Sequence, residues 1–267
     1  MALLEIINLS HSFGGLQAVA DFNLSLADGE LVGLIGPNGA GKTTVFNLIS
    51  GVYRPDGGQI IFAGQDITAW PSHRRMAAGM SRTFQNIRLF KDMTVLDNVR
   101  LGAFAQYRAG FWQSIGRTAA FREEERRRTE DARAMLARFG LERYAQTPAR
   151  HLPYGEQRRL EIARALISRP RLLLLDEPAA GMNQAETLEL VALLRRLQEE
   201  FRLTILLIEH HMGVVLNLCQ RVLVLDFGST IFAGAPRAAQ AHPQVLEAYL
   251  GKEAEDEAAA APPPEPP

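Results

Sequence analysis

The run Gly36-Pro37-Asn38-Gly39-Ala40-Gly41-Lys42-Thr43 has the residue types and spacing of a loop that wraps phosphate groups. Glycines let the backbone curl until consecutive N–H groups face inward, and a helix N-terminus behind them adds favourable potential for an anion. In such a loop Lys42 reaches the β and γ phosphates of a nucleoside triphosphate and Thr43 ligates magnesium, with Thr44 joining the nucleotide-binding set. A glycine-rich turn with an incidental lysine is the ordinary alternative. The strand pattern before this run and the helix pattern after it argue against that. Further on, Leu172-Leu173-Leu174-Leu175-Asp176-Glu177-Pro178 reads as a buried strand delivering two carboxylates to a sheet edge. Their expected tasks differ: Asp176 holds magnesium, directly or through water, while Glu177 polarises an attacking water as general base. An isolated Asp-Glu pair would more often cap a helix; paired with a phosphate loop, the catalytic reading prevails.

These residues need elements to carry them. Apolar residues alternate with Asn23 and Ser25 from Phe22 to Leu26, Asp28-Gly29 supplies a turn, and Leu31 to Ile35 forms a more buried strand. The pattern predicts a hairpin feeding the glycine loop. Val45, Phe46, Leu48 and Ile49 predict a short helix ending near Gly51, and Gln59 to Ala63 returns to strand character. Leu172 to Leu175 and Leu203 to Ile208 are strands ending in acid. The stripe Leu190, Leu193, Leu194, Leu197 and Phe201 between them is core. Strands alternating with helices predict a mostly parallel sheet. Ala132, Met135, Leu136 and Phe139 repeat at helical spacing after a charged run, Arg122 to Arg128, expected to be a solvated helix face with local ion pairs. Beyond Gly251 alanine, proline and glutamate predict a disordered tail, residues 252–267.

Nearly half of the 267 residues are hydrophobic, enough for one large domain, and a formal net charge of −1 leaves no basic excess to attract nucleic acid. The single cysteine, Cys219, excludes an intramolecular disulfide and reads as a packed small hydrophobe in a reducing compartment. No apolar run is long enough to span a bilayer, so membrane association is expected through partners.

Leu152-Pro153-Tyr154-Gly155-Glu156-Gln157 precedes an amphipathic helix carrying Leu160, Ala163 and Ile167, shortly before the acidic strand. This segment resembles the signature of ABC transporter ATPases, usually written L-S-G-G-Q, and the resemblance covers roughly residues 3–250. It implies an α/β fold with a RecA-like P-loop ATPase core, an antiparallel β subdomain and a helical subdomain of about residues 88–165 within an ATPase domain spanning 1–251. It implies ATP and Mg2+ as cofactors, and places Tyr154, Gly155 and Glu156 at a helix tip that binds the γ phosphate of ATP held by the opposite subunit. It further implies that Phe13 stacks on adenine, that Gln85 touches magnesium and attacking water, and that His210 contacts the γ phosphate. Ala180-Gly181-Met182-Asn183 matches the loop that crosses the dimer interface.

Departures from the general pattern are Pro153 and Tyr154 for serine and glycine, Asn183 for a common aspartate, and His211 for another. They leave the relative strength of the two composite sites open. The phrases Tyr154-Gly155-Glu156-Gln157-Arg158-Arg159-Leu160-Glu161, Arg82-Thr83-Phe84-Gln85 and Ala248-Tyr249-Leu250-Gly251 resemble the ATPases of high-affinity branched-chain amino acid importers. That resemblance implies a second, different ATPase subunit, two transmembrane permease subunits and, indirectly, a substrate-binding protein, on the cytoplasmic face of the inner membrane. The Gln85 neighbourhood is the expected permease contact. Tyr107, Phe111 and Trp112 suit core packing or a permease. Urea, amide or lipopolysaccharide cargo remains open, as do an ABC ATPase acting on nucleic acid and a phosphate-loop kinase without the signature helix.

Overall fold

The computed structural model describes residues 2–103 and 119–250; the expected tail 252–267 and the aromatic set Tyr107, Phe111 and Trp112 lie outside them. Strands β1 (Ala2–Phe13), β2 (Leu16–Ala27), β4 (Gly57–Phe62) and β5 (Gln65–Asp66) form an antiparallel sheet in the order β2-β1-β4-β5. Strands β3 (Leu31–Ile35), β6 (Met80–Arg82), β7 (Leu172–Asp176), β8 (Thr204–Ile208), β9 (Arg221–Asp226) and β10 (Ser229–Gly234) form a second sheet in the order β10-β9-β3-β8-β7-β6. Its pairings are parallel except for β10, which runs antiparallel to β9.

The expected hairpin before the glycine loop does not form. The chain does turn at Asp28-Gly29, but β2 pairs with β1 and β3 pairs with β8 and β9, in different sheets. The physical reason lies in burial: all five residues of β3 are buried, which suits the centre of a two-sided sheet, whereas β2 alternates and needs only one covered face.

Period-two alternation sorts the parallel sheet between two cores. Leu31, Leu173, Leu175, Ile205, Leu207, Val222 and Val224 join one cluster; Val32, Leu34, Leu172, Leu174, Leu206, Ile208, Leu223 and Leu225 join the other. The second cluster is closed by the antiparallel sheet and by Val45, Phe46, Leu48 and Ile49 of α1 (Lys42–Ile49). The first takes in α3 (Val95–Gly102), α4 (Ala119–Arg138), α5 (Tyr154–Leu166), α6 (Gln184–Phe201) and α7 (Met212–Leu218), with Ala132, Met135, Leu136 and Phe139 buried as their spacing predicts. Within α6, Leu190, Leu193, Leu194 and Leu197 are buried and Phe201 packs against them. Asn183 and Glu186 form a reciprocal capping box that fixes where α6 begins.

The charged run on α4 is only partly a solvated face. Glu123, Arg126 and Glu130 pair along the surface, but Glu125 reaches Arg100 of α3 at 2.6 Å and the Arg128 side chain is 14% exposed. Helix α2 (Ser72–Ala77) sends Arg75, 1% exposed, beneath α1, where its guanidinium donates to Leu48 O, Ile49 O, Thr68 O and Trp70 O. A cation there satisfies the end carbonyls of the helix whose other end carries the glycine loop. Among the described residues no helix is long and apolar enough to cross a membrane.

Candidate active site

Because β3, β6, β7 and β8 are mutually parallel, their carboxyl ends open on one edge of the sheet. Ile35 leads into the glycine loop, Asp176 ends β7, Ile208 leads to His210, and Arg82 leads to Gln85. One topological fact therefore collects side chains scattered over some 170 positions of sequence.

The loop depends on two glycines above all. A Cβ at Gly36, φ +144°, would sit 2.1 Å from Leu225 O, and one at Gly41, φ +100°, would sit 2.4 Å from Ala18 O. Gly41 starts α1 in the left-handed region, and no side chain caps the helix, so the first-turn N–H groups of Lys42, Thr43 and Thr44 keep their potential for an anion. The Lys42 ammonium is buried inside the loop and donates to Gly36 O at 2.7 Å and Pro37 O at 2.9 Å. Gly36, Pro37 and Ala40 are buried while Asn38, Gly39 and Thr43 are exposed.

Asp176 and Glu177 differ in environment. Asp176 is 3% exposed; its Oδ2 accepts from Arg82 at 2.9 Å, and its N–H donates to Thr83 Oγ1. Arg82 also donates to Asn47 Oδ1 and Ser50 Oγ of the glycine-loop helix and its cap, tying β7 to α1. Glu177 takes φ +46°, a left-handed conformation uncommon for a residue with a side chain, held by its N–H on Ile208 O at 2.9 Å. That turn brings its carboxylate to Gln85, whose Nε2 donates to Oε2 at 2.9 Å, and to His210, whose Nδ1 lies 3.9 Å from the same oxygen. Gln85, Glu177 and His210 thus converge beside Asp176. Oxygen donors from Thr43, Gln85 and Asp176 are the hard ligands a magnesium ion takes, so the residues present fit that ion.

Phe13 ends β1, half-exposed, with His11 and Tyr53 packed edge-on against it at centroid distances of 4.6 and 5.4 Å. It pairs with Leu16, two residues before the Ala18 carbonyl that abuts Gly41, which puts the aromatic on the flank of the glycine loop. At the tip of α5, Pro153 is the N-cap and no side chain caps the first turn. Glu156 stands in that turn, within 4.0 Å of Arg159 and 3.9 Å of Arg143, whose charges offset its own. Gly155 is buried. The Tyr154 hydroxyl is engaged within its own chain, on Ala180 O and Arg158.

Three participants escape sequence reasoning. Arg82 is visible only as an arginine three positions before Gln85. Arg158 looks like one of three ordinary arginines of α5, yet it is fully buried and pairs with Glu161 at 2.9 Å. Glu209 is buried and accepts from Ala179 N, His210 N and His211 N, stapling the loop after β7 to the end of β8; burial raises its carboxyl above the ordinary range. Its only sequence signal is an acid directly after the apolar run from Ile205 to Ile208.

An ATP-binding cassette is the class that this sheet edge and glycine loop define. The chain belongs to the ABC transporter family, as an ATP-binding, ATP-hydrolysing subunit: the family model described as ABC transporter matches residues 19–180, and that of the branched-chain amino acid ATP-binding cassette transporter matches residues 229–255. Over 250 residues it is 44% identical to the high-affinity branched-chain amino acid transport ATP-binding protein BraF of Pseudomonas aeruginosa, covering 94% of this chain and 98% of that protein. It is 43% identical to the corresponding protein LivG of Escherichia coli, with the same coverage. Among solved structures it is similar to the ADP conformation of MJ1267, an ATP-binding cassette of an ABC transporter, with a TM-score of 0.81, 28% identity, and coverage of 94% of this chain and 99% of that one.

Proposed function

We propose that the chain couples ATP hydrolysis to uptake of branched-chain amino acids through separate transmembrane permease subunits. In this reading it sits on the cytoplasmic face of the inner membrane, pairs with a second, different ATPase subunit, and receives cargo indirectly from a substrate-binding protein. Residues 1–251 are the ATPase domain, with a helical subdomain of about 88–165, and 252–267 are a tail. The names of the similar proteins BraF and LivG, and the family match at residues 229–255, support the cargo.

The single observation that carries the chemistry is the meeting of Gln85 and His210 on one oxygen of Glu177 beside Asp176. Phe13 stacks on adenine, while N–H groups of the glycine loop from Asn38 to Thr44 and the Lys42 ammonium bind the phosphates. Thr43, Asp176 and Gln85 would hold magnesium, which would supply positive charge against the negative charge that develops during phosphoryl transfer. Glu177 takes the proton of the attacking water as its oxygen bonds to the γ phosphorus, and the β–γ bridging oxygen leaves with ADP. Gln85 orients that water, and His210 steadies charge on the γ phosphate. The backbone N–H groups of the uncapped tip of α5, at Tyr154, Gly155 and Glu156, seal ATP bound by the neighbour, and Ala180 to Asn183 lie along the interface.

The test is radiolabelled leucine uptake by cells deleted for this subunit and supplied with either the native chain or Lys42→Ala. The reading predicts uptake with the native chain alone. Equal uptake with both, or uptake of another cargo only, contradicts it.

A further inference from the structure

We propose that Tyr154 is a positioning residue that closes a ring of contacts around Glu177 within one protomer, joining the tip of α5 to the loop after β7 and to the backbone at Gln85. The proposal rests on the ATPase reading above and deepens it. The Tyr154 hydroxyl donates to Ala180 O at 3.0 Å and accepts from Arg158 Nη2 at 3.2 Å. Arg158, with no exposed side-chain surface, spends its two terminal nitrogens on Phe84 O and Gln85 O, both at 2.8 Å. Glu161 fixes that guanidinium at 2.9 Å and accepts from Arg88 N with its other oxygen, so the segment from 84 to 88 is clamped to α5 at three points.

Both arms of the ring end on the same residue. From Arg158 the path passes through Gln85, whose Nε2 is on Glu177 Oε2 at 2.9 Å. From Ala180 it passes through the turn in which Ala180 N donates to Glu177 O at 3.1 Å. The tyrosine ring lies over Gly181, where a Cβ would meet Cε1 at 3.2 Å and where φ is +76°. Removing the phenol hydroxyl opens the ring at Ala180 and Arg158 while the bonds of Arg158 to Phe84 and Gln85, and of Gln85 to Glu177, stay in place. Its consequence is directional. Loosening Ala180 and Gln85 degrades the orientation of the base and its water, which lowers turnover, whereas the ATP-gripping loop of residues 36–43 is untouched and affinity is kept.

The experiment measures steady-state ATP hydrolysis by the full-length chain, as native, Tyr154→Phe, Arg158→Lys and the double variant, together with hydrogen exchange of amides 177–182. Losing a hydroxyl bonded to a charged group predicts that kcat falls about tenfold in Tyr154→Phe with KM for ATP unchanged. Exchange at 177–182 quickens, and the double variant is no worse than the poorer single one because both open the same ring. Unchanged kcat and exchange in Tyr154→Phe overturns the proposal, as does a raised KM with kcat intact, which would mean that the phenol touches the neighbour's nucleotide. A native chain that does not hydrolyse ATP overturns instead the reading on which the proposal rests.

Discussion

Arg82 and Asp176 form a buried ion pair at 2.9 Å, with side chains 8% and 4% exposed, between the edge strand β6 and the strand β7 that ends in the proposed magnesium ligand. The same guanidinium bonds Asn47 and Ser50 and lies over the rings of Phe46 and Phe84. Removing one partner of such a pair leaves an uncompensated buried charge. Arg82→Met is therefore expected to lower unfolding free energy by about 3 to 5 kcal/mol in urea titrations, and Arg82→Met/Asp176→Leu to recover part of that loss.

At Gly36 the space for a side chain is absent as well as the conformation. Gly36→Ala is expected to push the loop off Leu225 O and to weaken ATP binding about tenfold or more, with secondary structure by circular dichroism retained. Calorimetric titration with ATP checks this; an unchanged Kd contradicts it.

Cys219 is 8% exposed, with Sγ against the position of Gly33, and burial first, then the charge of Glu209, pushes its thiol up to about 12 from 9.0. In the unfolded chain the thiol ionises first as pH rises. The stability it confers is therefore complete below pH 9.0 and is lost as pH climbs toward about 12. The native chain is expected to resist iodoacetamide near neutral pH and to react once unfolded. Rapid labelling of the folded chain contradicts this burial.

Glu209 obeys the same sign through a different group. Its carboxyl is raised above 4.5 chiefly by burial, so its contribution to stability is full below that value and declines as pH rises through the raised one. Relative to Glu209→Gln, the native chain is expected to lose unfolding free energy with rising pH across that window, read from urea midpoints at several pH values.

What the sequence makes legible follows from whether the signal is local. Residues 36–43 and 172–178 declare themselves because loop conformation and strand burial are written into adjacent residues. The separation of β2 from β3 is not, because sheet membership is settled by partners far along the chain, although five consecutive buried residues in β3 against alternation in β2 carried the hint. Arg75, Arg82 and Arg158 are of a type that is mostly exposed, and their acceptors lie in other elements, at Leu48, Asp176 and Phe84. Tyr154 is visible as a departure from the signature, but its acceptor, Ala180, is 26 residues away, across a strand.

Glu177 offers the most direct test, because Gln85 and His210 meet on one oxygen of its carboxylate. ATP retention and ATP turnover are measured side by side in the native chain and in Glu177→Gln, which keeps the shape and loses the base. The expected result is turnover reduced by about 10²- to 10⁴-fold with ATP still bound and ATP-loaded dimers accumulating. Undiminished turnover in that variant would remove Glu177 from the chemistry and contradict the assignment of this sheet edge as the site of hydrolysis.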